Sequence, residues 1–135
     1  MADLSITAAN VGVNETAAQI QIVQAGEAVT QGQPAYQTAA KYYQADANDT
    51  EAKAEALGVF LTPAAIDGYA AIVTRGKVNL GATLAVGETY VVSATKGGIA
   101  PIADLTTGDY VTILGVASAA DSIDLNIQPS GIQKP

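Results

Sequence analysis

From Ala18 to Val23 the chain reads AQIQIV, with apolar and polar positions alternating. A period of two puts one set of side chains on each face of an extended strand. The next segment, AGEAVTQGQPAYQ, is punctuated by Gly26, Gly32 and Pro34, with Tyr36 in a short strand after the turn. KYYQADAND predicts a second aromatic strand that ends in a turn at Asp46–Asp49. NDTEAKAEAL is the one helical stretch, because Ala, Glu and Lys are strong helix formers. Asn48 with Glu51 fits a capping pair, Thr50 is the alternative cap, and Gly58 ends the helix after about two turns. Strand patterns then resume as LGVFLT, interrupted by Pro63, followed by GYAAIVTRG and a separate short KVNLG.

The second half alternates more cleanly. ETYVVSA predicts a strand, and TKGG a turn in which either Gly97 or Gly98 takes a positive φ. IAPIAD reads as a short edge strand, since Pro101 cannot donate to a ladder. LTTGD is a further turn, with Gly108 beside Asp109. YVTILGVASA is a strand in which Gly115 marks a bulge or a close backbone approach. SIDLNIQ sets Ile123, Leu125 and Ile127 on one face. Gly32, Gly58, Gly87, Gly98, Gly108 and Gly115 are the candidate structural turns. Short strands spaced by glycine turns predict a mainly β fold, a small β-barrel or β-sandwich-like body with one short helix. Residues 1–17, MADLSITAANVGVNETA, lack a clear period and read as an extended N-terminal arm ahead of a β-rich domain over 18–135. A body starting at Ala18 is expected to fold without that arm.

The halves echo one another. GQPAYQ resembles GETYVV, ADAND resembles ADLTTGD, ALGVFLT resembles ILGVASA, and IVTRG and NIQPSG close each half. Gly32 to Gly87 is nearly as long a step as Gly58 to Gly115. A diverged internal duplication accounts for this; coincidence among common turn residues is the competing account.

Charge and composition narrow the function. Only 14% of residues are Asp, Glu, Lys or Arg, against roughly 25% in an average soluble domain. So sparse a charge suits burial of surface against further copies of the chain or a partner. The net charge of −7 and the scatter of the six bases argue against tracking a phosphate backbone, so no nucleic-acid partner is expected. Without cysteine there is no disulfide. MADLSITAAN has no basic leader and is not expected to be a signal peptide. No run of 18 apolar residues predicts a membrane span.

With neither His nor Cys, the commonest proton carrier, the Cys nucleophile and the Ser-His-Asp triad are all excluded. Asp104 and Asp109 flank a glycine turn, and Asp121 and Asp124 lie near the last strand. A glycosidase pair would need two such groups across a sugar, but acids beside Gly, Thr or Ser ordinarily cap backbone amides. DANDTE offers Asp46, Asp49 and Glu51 to a cation but lacks the glycine and distal glutamate of a calcium loop. No catalytic residue, cofactor or metal is therefore assigned. The six tyrosines, Tyr36, Tyr42, Tyr43, Tyr69, Tyr90 and Tyr110, could form a glycan platform, though strand tyrosines ordinarily pack half-buried.

The span GKVNLGATLAVGETYVVSATKGGIAPIADLTTGDYVTILGVASAADSIDLNI resembles the C-terminal part of small structural proteins of tailed bacteriophages, the head decoration proteins and related head-fibre modules. The likeness rests on Gly87 followed by Tyr90 and a strand ending at Ser93, the Gly97–Gly98 turn, the IAP element, the Gly108–Asp109 turn and the ILGVA strand. GEAVTQGQPAYQ and AEALGVFLT extend it over roughly residues 22–128. The resemblance implies a virion protein on the outer capsid surface, a homotrimer that clamps neighbouring major capsid protein subunits, with no catalytic motif. It also implies an arm that joins the capsid lattice; in this chain Leu4, Ile6 and Val11 of residues 1–17 are the expected capsid contacts, the arm adding as an extended strand. The alternative is a fibre or adhesion module that binds host surface glycans through its tyrosines.

Overall fold

The alternating run becomes a strand at Gln19–Gln24 (β2), preceded by Val11–Val13 (β1). The computed structural model describes residues 3–13 and 18–134. Pro34–Thr38 (β3), Lys41–Gln44 (β4), the single turn of helix Glu51–Ala54 (α1) and Gly58–Phe60 (β5) follow. Then come Tyr69–Leu80 (β6), Thr89–Val92 (β7), Ile99–Pro101 (β8), Tyr110–Ala117 (β9) and Ser122–Gln133 (β10). The fold is mainly β, an open, curled half-barrel sheet with the order β4-β3-β5-β6-β10-β9-β7-β8; β1 and β2 lie along β6. Every ladder between these strands is antiparallel.

Three local expectations are corrected. The helix is half the expected length, because Ala54 and Ala56 are buried and the Leu57 amide bonds to Ala35, which draws the chain into β5. Thr50, not Asn48, is the N-cap: its hydroxyl accepts from the Lys53 amide. GYAAIVTRG and KVNLG are one strand. β6 runs through Arg75-Gly76-Lys77, where Gly76 has φ 119° and the ladder to β2 skips Thr74. That bulge switches the buried parity: Val73 before it and Val78 and Leu80 after it all enter the larger core cluster. Ile72 joins Phe60, Val23, Val29 and Tyr42 in a smaller cluster. Burying each such large side chain contributes roughly 1.5–3 kcal/mol.

The strand order repeats about the β6–β10 ladder: β4-β3-β5-β6 on one side, β8-β7-β9-β10 on the other. Registers agree as well. Ala35 pairs with Gly58 as Tyr90 pairs with Gly115, and Pro34 pairs with Val59 as Thr89 pairs with Val116. Gly32 donates to Phe60 and Gly87 to Ala117, while the Phe60 and Ala117 amides return to Gln33 and Glu88. Gly32 and Gly87 share φ values of 87° and 86°. Val23, Ala25 and Val29 match Val78, Leu80 and Leu84, and all six are buried. The closing echo is the exception: the ladders match Ile72 with Ile123, not Gly76 with Gly131. β6 thus serves both repeats, its first half as the last strand of one and its second half as the first strand of the other.

The curl brings the two ends of the sheet together. The Gly97 amide donates to Ala45, the Ala47 amide to Ser93 and the Tyr110 amide to Ala47. These bonds form a seam between the residues that follow β4 and both the β7–β8 turn and the start of β9.

Candidate functional site

The arm residues lie against the chain's own body. The Leu4 amide donates to Ile99 at 2.8 Å and the Ser93 hydroxyl to Asp3 at 2.6 Å. Leu4 and Ile6 are half-buried against the larger core, and Val11 pairs with Leu80 in the β1–β6 ladder. A boundary after residue 17 falls beside residues 14–17, which lie outside the described residues. The body that starts at Ala18 is therefore not closed by itself. Residues 3–13 supply part of its wall.

The candidate glycines divide by conformation. Gly32, Gly87 and Gly108 occupy turns with positive φ, and in the TKGG turn it is Gly97, not Gly98, that does so. Gly58 and Gly115 are strand residues rather than turns, at equivalent places in the two repeats. A Cβ at Gly58 would sit 2.7 Å from the Val73 carbonyl oxygen, and one at Gly115 would clash with the carbonyl oxygen of Asp124. Close backbone packing, and not a turn, explains both.

The acidic residues are engaged locally. Asp109 is buried and its carboxylate accepts from the Thr106 amide at 2.9 Å and the Thr106 hydroxyl at 3.1 Å. Asp121 accepts from the Ser122 hydroxyl and the side-chain amide of Asn79, Asp46 from the Asn48 backbone amide, and Asp49 from Lys53. The hydrogen bond and charge of Asp49 raise the Lys53 ammonium above its ordinary pKa. Asp124 is exposed on β10 opposite Lys77, Asp104 lies in a 3₁₀ turn at Ile102–Asp104, and Glu51 opens α1. Among the described residues no three acids gather as a metal site. Asp109→Ala is expected to cost about 1–2 kcal/mol, seen as a lower urea midpoint, because it strips from the turn two bonds made by a buried carboxylate.

Two surfaces stand out once the fold is built. The first is the outward face of β2, where Ile20 and Ile22 are 51% and 68% exposed, next to Tyr69 across the ladder. The matching positions in the second repeat, 55 residues on as Gly87 is from Gly32, are Arg75 and Lys77. The alternation of β2 is legible in the sequence, but which face looks outward is not.

The second surface is a cavity of about 380 Å³ on the seam. Tyr36 and Tyr43, cross-strand neighbours in β3 and β4, stack there with ring centroids 5.6 Å apart. Glu27 and Lys96, joined at 2.7 Å, line it together with Asp46, Asp49 and Lys53. Glu27 and Lys96 come from loops far apart in the chain, and no local motif marks them. No protein-family model matches the chain, and no curated protein or solved structure matches it either. Among the described residues no helix is long and apolar enough to cross a membrane.

Proposed function

We propose that the protein is a non-enzymatic capsid decoration protein, a homotrimer bound through the major capsid protein to the outer surface of a phage head. The resemblance of residues 22–128 to such proteins supports the location. The observation that carries the contact role is the β2 face. One repeat fills its outward positions with Arg75 and Lys77, so the fold accepts charge there, yet the other repeat exposes Ile20 and Ile22 in a chain with few charges. An apolar stripe the fold does not need is best explained by contact with other chains. Leu4 and Ile6 being committed to the chain's own core favours this face over the arm as the contact between copies.

The test copies one repeat onto the other. Ile20→Arg with Ile22→Lys is expected to leave the melting temperature within a few degrees of the parent while weakening self-association about 100-fold, the loss of roughly 3 kcal/mol of apolar burial. Sedimentation equilibrium reads the mass, and co-sedimentation with undecorated capsids reads attachment. A strictly monomeric parent chain overturns the trimer, and a parent that fails to pellet with undecorated capsids overturns the decoration role.

A further inference from the structure

We infer that the seam cavity is a binding site for a neutral saccharide, independently of how the chain assembles. The repeat supplies an internal control. Tyr36 pairs with Tyr43 where the second repeat pairs Val91 with Ala100, and that pair is wholly buried. The fold therefore needs only a small apolar pair at this point of the sheet. The first repeat instead places two stacked aromatic rings there, Tyr36 buried in the larger core and Tyr43 beside it, both lining a cavity of about 380 Å³, within the usual range for small-ligand sites. Tyr43 is only half-buried. Its ring is stacked on Tyr36 and its hydroxyl end lies beside Gly26, so the part left exposed is the apolar contact proposed for the C–H groups of a sugar.

The rest of the lining fits hydroxyl groups better than a charged ligand. Lys96 is bonded to Glu27 at 2.7 Å and Lys53 to Asp49 at 2.6 Å, so both cations already have counter-charges. An anion would have to compete with these carboxylates, and a cation with the ammoniums. A neutral polyol disturbs neither pair: the carboxylates of Glu27 and Asp46 accept from its hydroxyls, and the ammoniums donate to them. The lining thus combines hydrogen-bond donors and acceptors with two tyrosine rings.

The experiment titrates the full-length protein with three neutral probes, cellotriose, mannotriose and N-acetyllactosamine, followed by amide NMR shifts. Saturable binding of at least one is expected, with shifts gathered at Glu27, Tyr43–Lys53 and Lys96. Tyr43→Ala is expected to weaken binding about tenfold, the loss of one aromatic contact. The shift map of the parent protein decides the question even where that variant folds poorly. No saturable binding of any probe at about 20 mM, a concentration that detects millimolar affinity, overturns the inference. So do shifts gathered elsewhere, or undiminished binding by a folded Tyr43→Ala.

Discussion

Gly115→Val is expected to lower the melting temperature by roughly 10 °C, a loss of about 3 kcal/mol. The new Cβ would press on the carbonyl oxygen of Asp124, which belongs to the neighbouring strand and cannot swing away as a side chain tip could. β9 would have to move off β10, and this ladder holds Leu114, Ile123 and Leu125 in the larger core. Gly58→Val meets the Val73 carbonyl in the same way, and should be destabilising by a similar mechanism. Gly12→Ala is the control: no atom lies within 4 Å of its added Cβ, and a change within about 0.5 kcal/mol is expected. Thermal unfolding of the three variants by circular dichroism checks the order. An unchanged melting temperature for Gly115→Val would show that the β9–β10 spacing yields easily.

Deleting residues 2–13 is expected to have the larger effect, at least about 4 kcal/mol and more than 10 °C. The deletion exposes the part of the larger core that Leu4, Ile6 and Val13 cover, and removes the β1 partner of Val78–Leu80. It also leaves the Ile99 carbonyl without the Leu4 amide and Ser93 without Asp3. A smaller pair of changes, Leu4→Ala with Ile6→Ala, separates side-chain packing from strand pairing and should account for about half of the loss. A truncated chain that melts with the full-length protein would restore the arm as a dispensable appendage.

The elements that can be read from the sequence are those whose burial follows local period. β9 and the start of β10 alternate, and Ile123 and Leu125 are buried while Ile127 packs at the core's edge, on the expected side. The misread elements are those where distant contacts overrule local preference. EAKAEAL has the composition of a longer helix, yet the bond from Leu57 to Ala35 and the burial of Ala56 convert its end into the approach to β5. Arg75-Gly76-Lys77 looks like a turn between two strands because charge and glycine interrupt the alternation there. The interruption is instead a bulge within one strand. The arm has no readable period, since half-buried residues sit along an irregular path. The seam cavity is half visible in the sequence: its tyrosines read as aromatic strand residues, but Glu27 and Lys96 meet only after the sheet has curled.

The sharing of β6 has a further consequence for how the molecule can be taken apart. Most tandem repeats are joined by a linker that a protease can cut or a truncation can end on. Here a break near Gly76 divides a strand that both repeats need. The first piece would lose most of its tie to β10, and the second would keep Lys77–Asn79 beside Ser122–Asp124 but lose Arg75 and Gly76 from Asn126 and Leu125, and β1 from Val78–Leu80, which becomes an open edge. Such an edge is a template for pairing with other chains. The two repeats are therefore halves in topology only: each, separately expressed, would carry an open strand edge that the intact chain pairs.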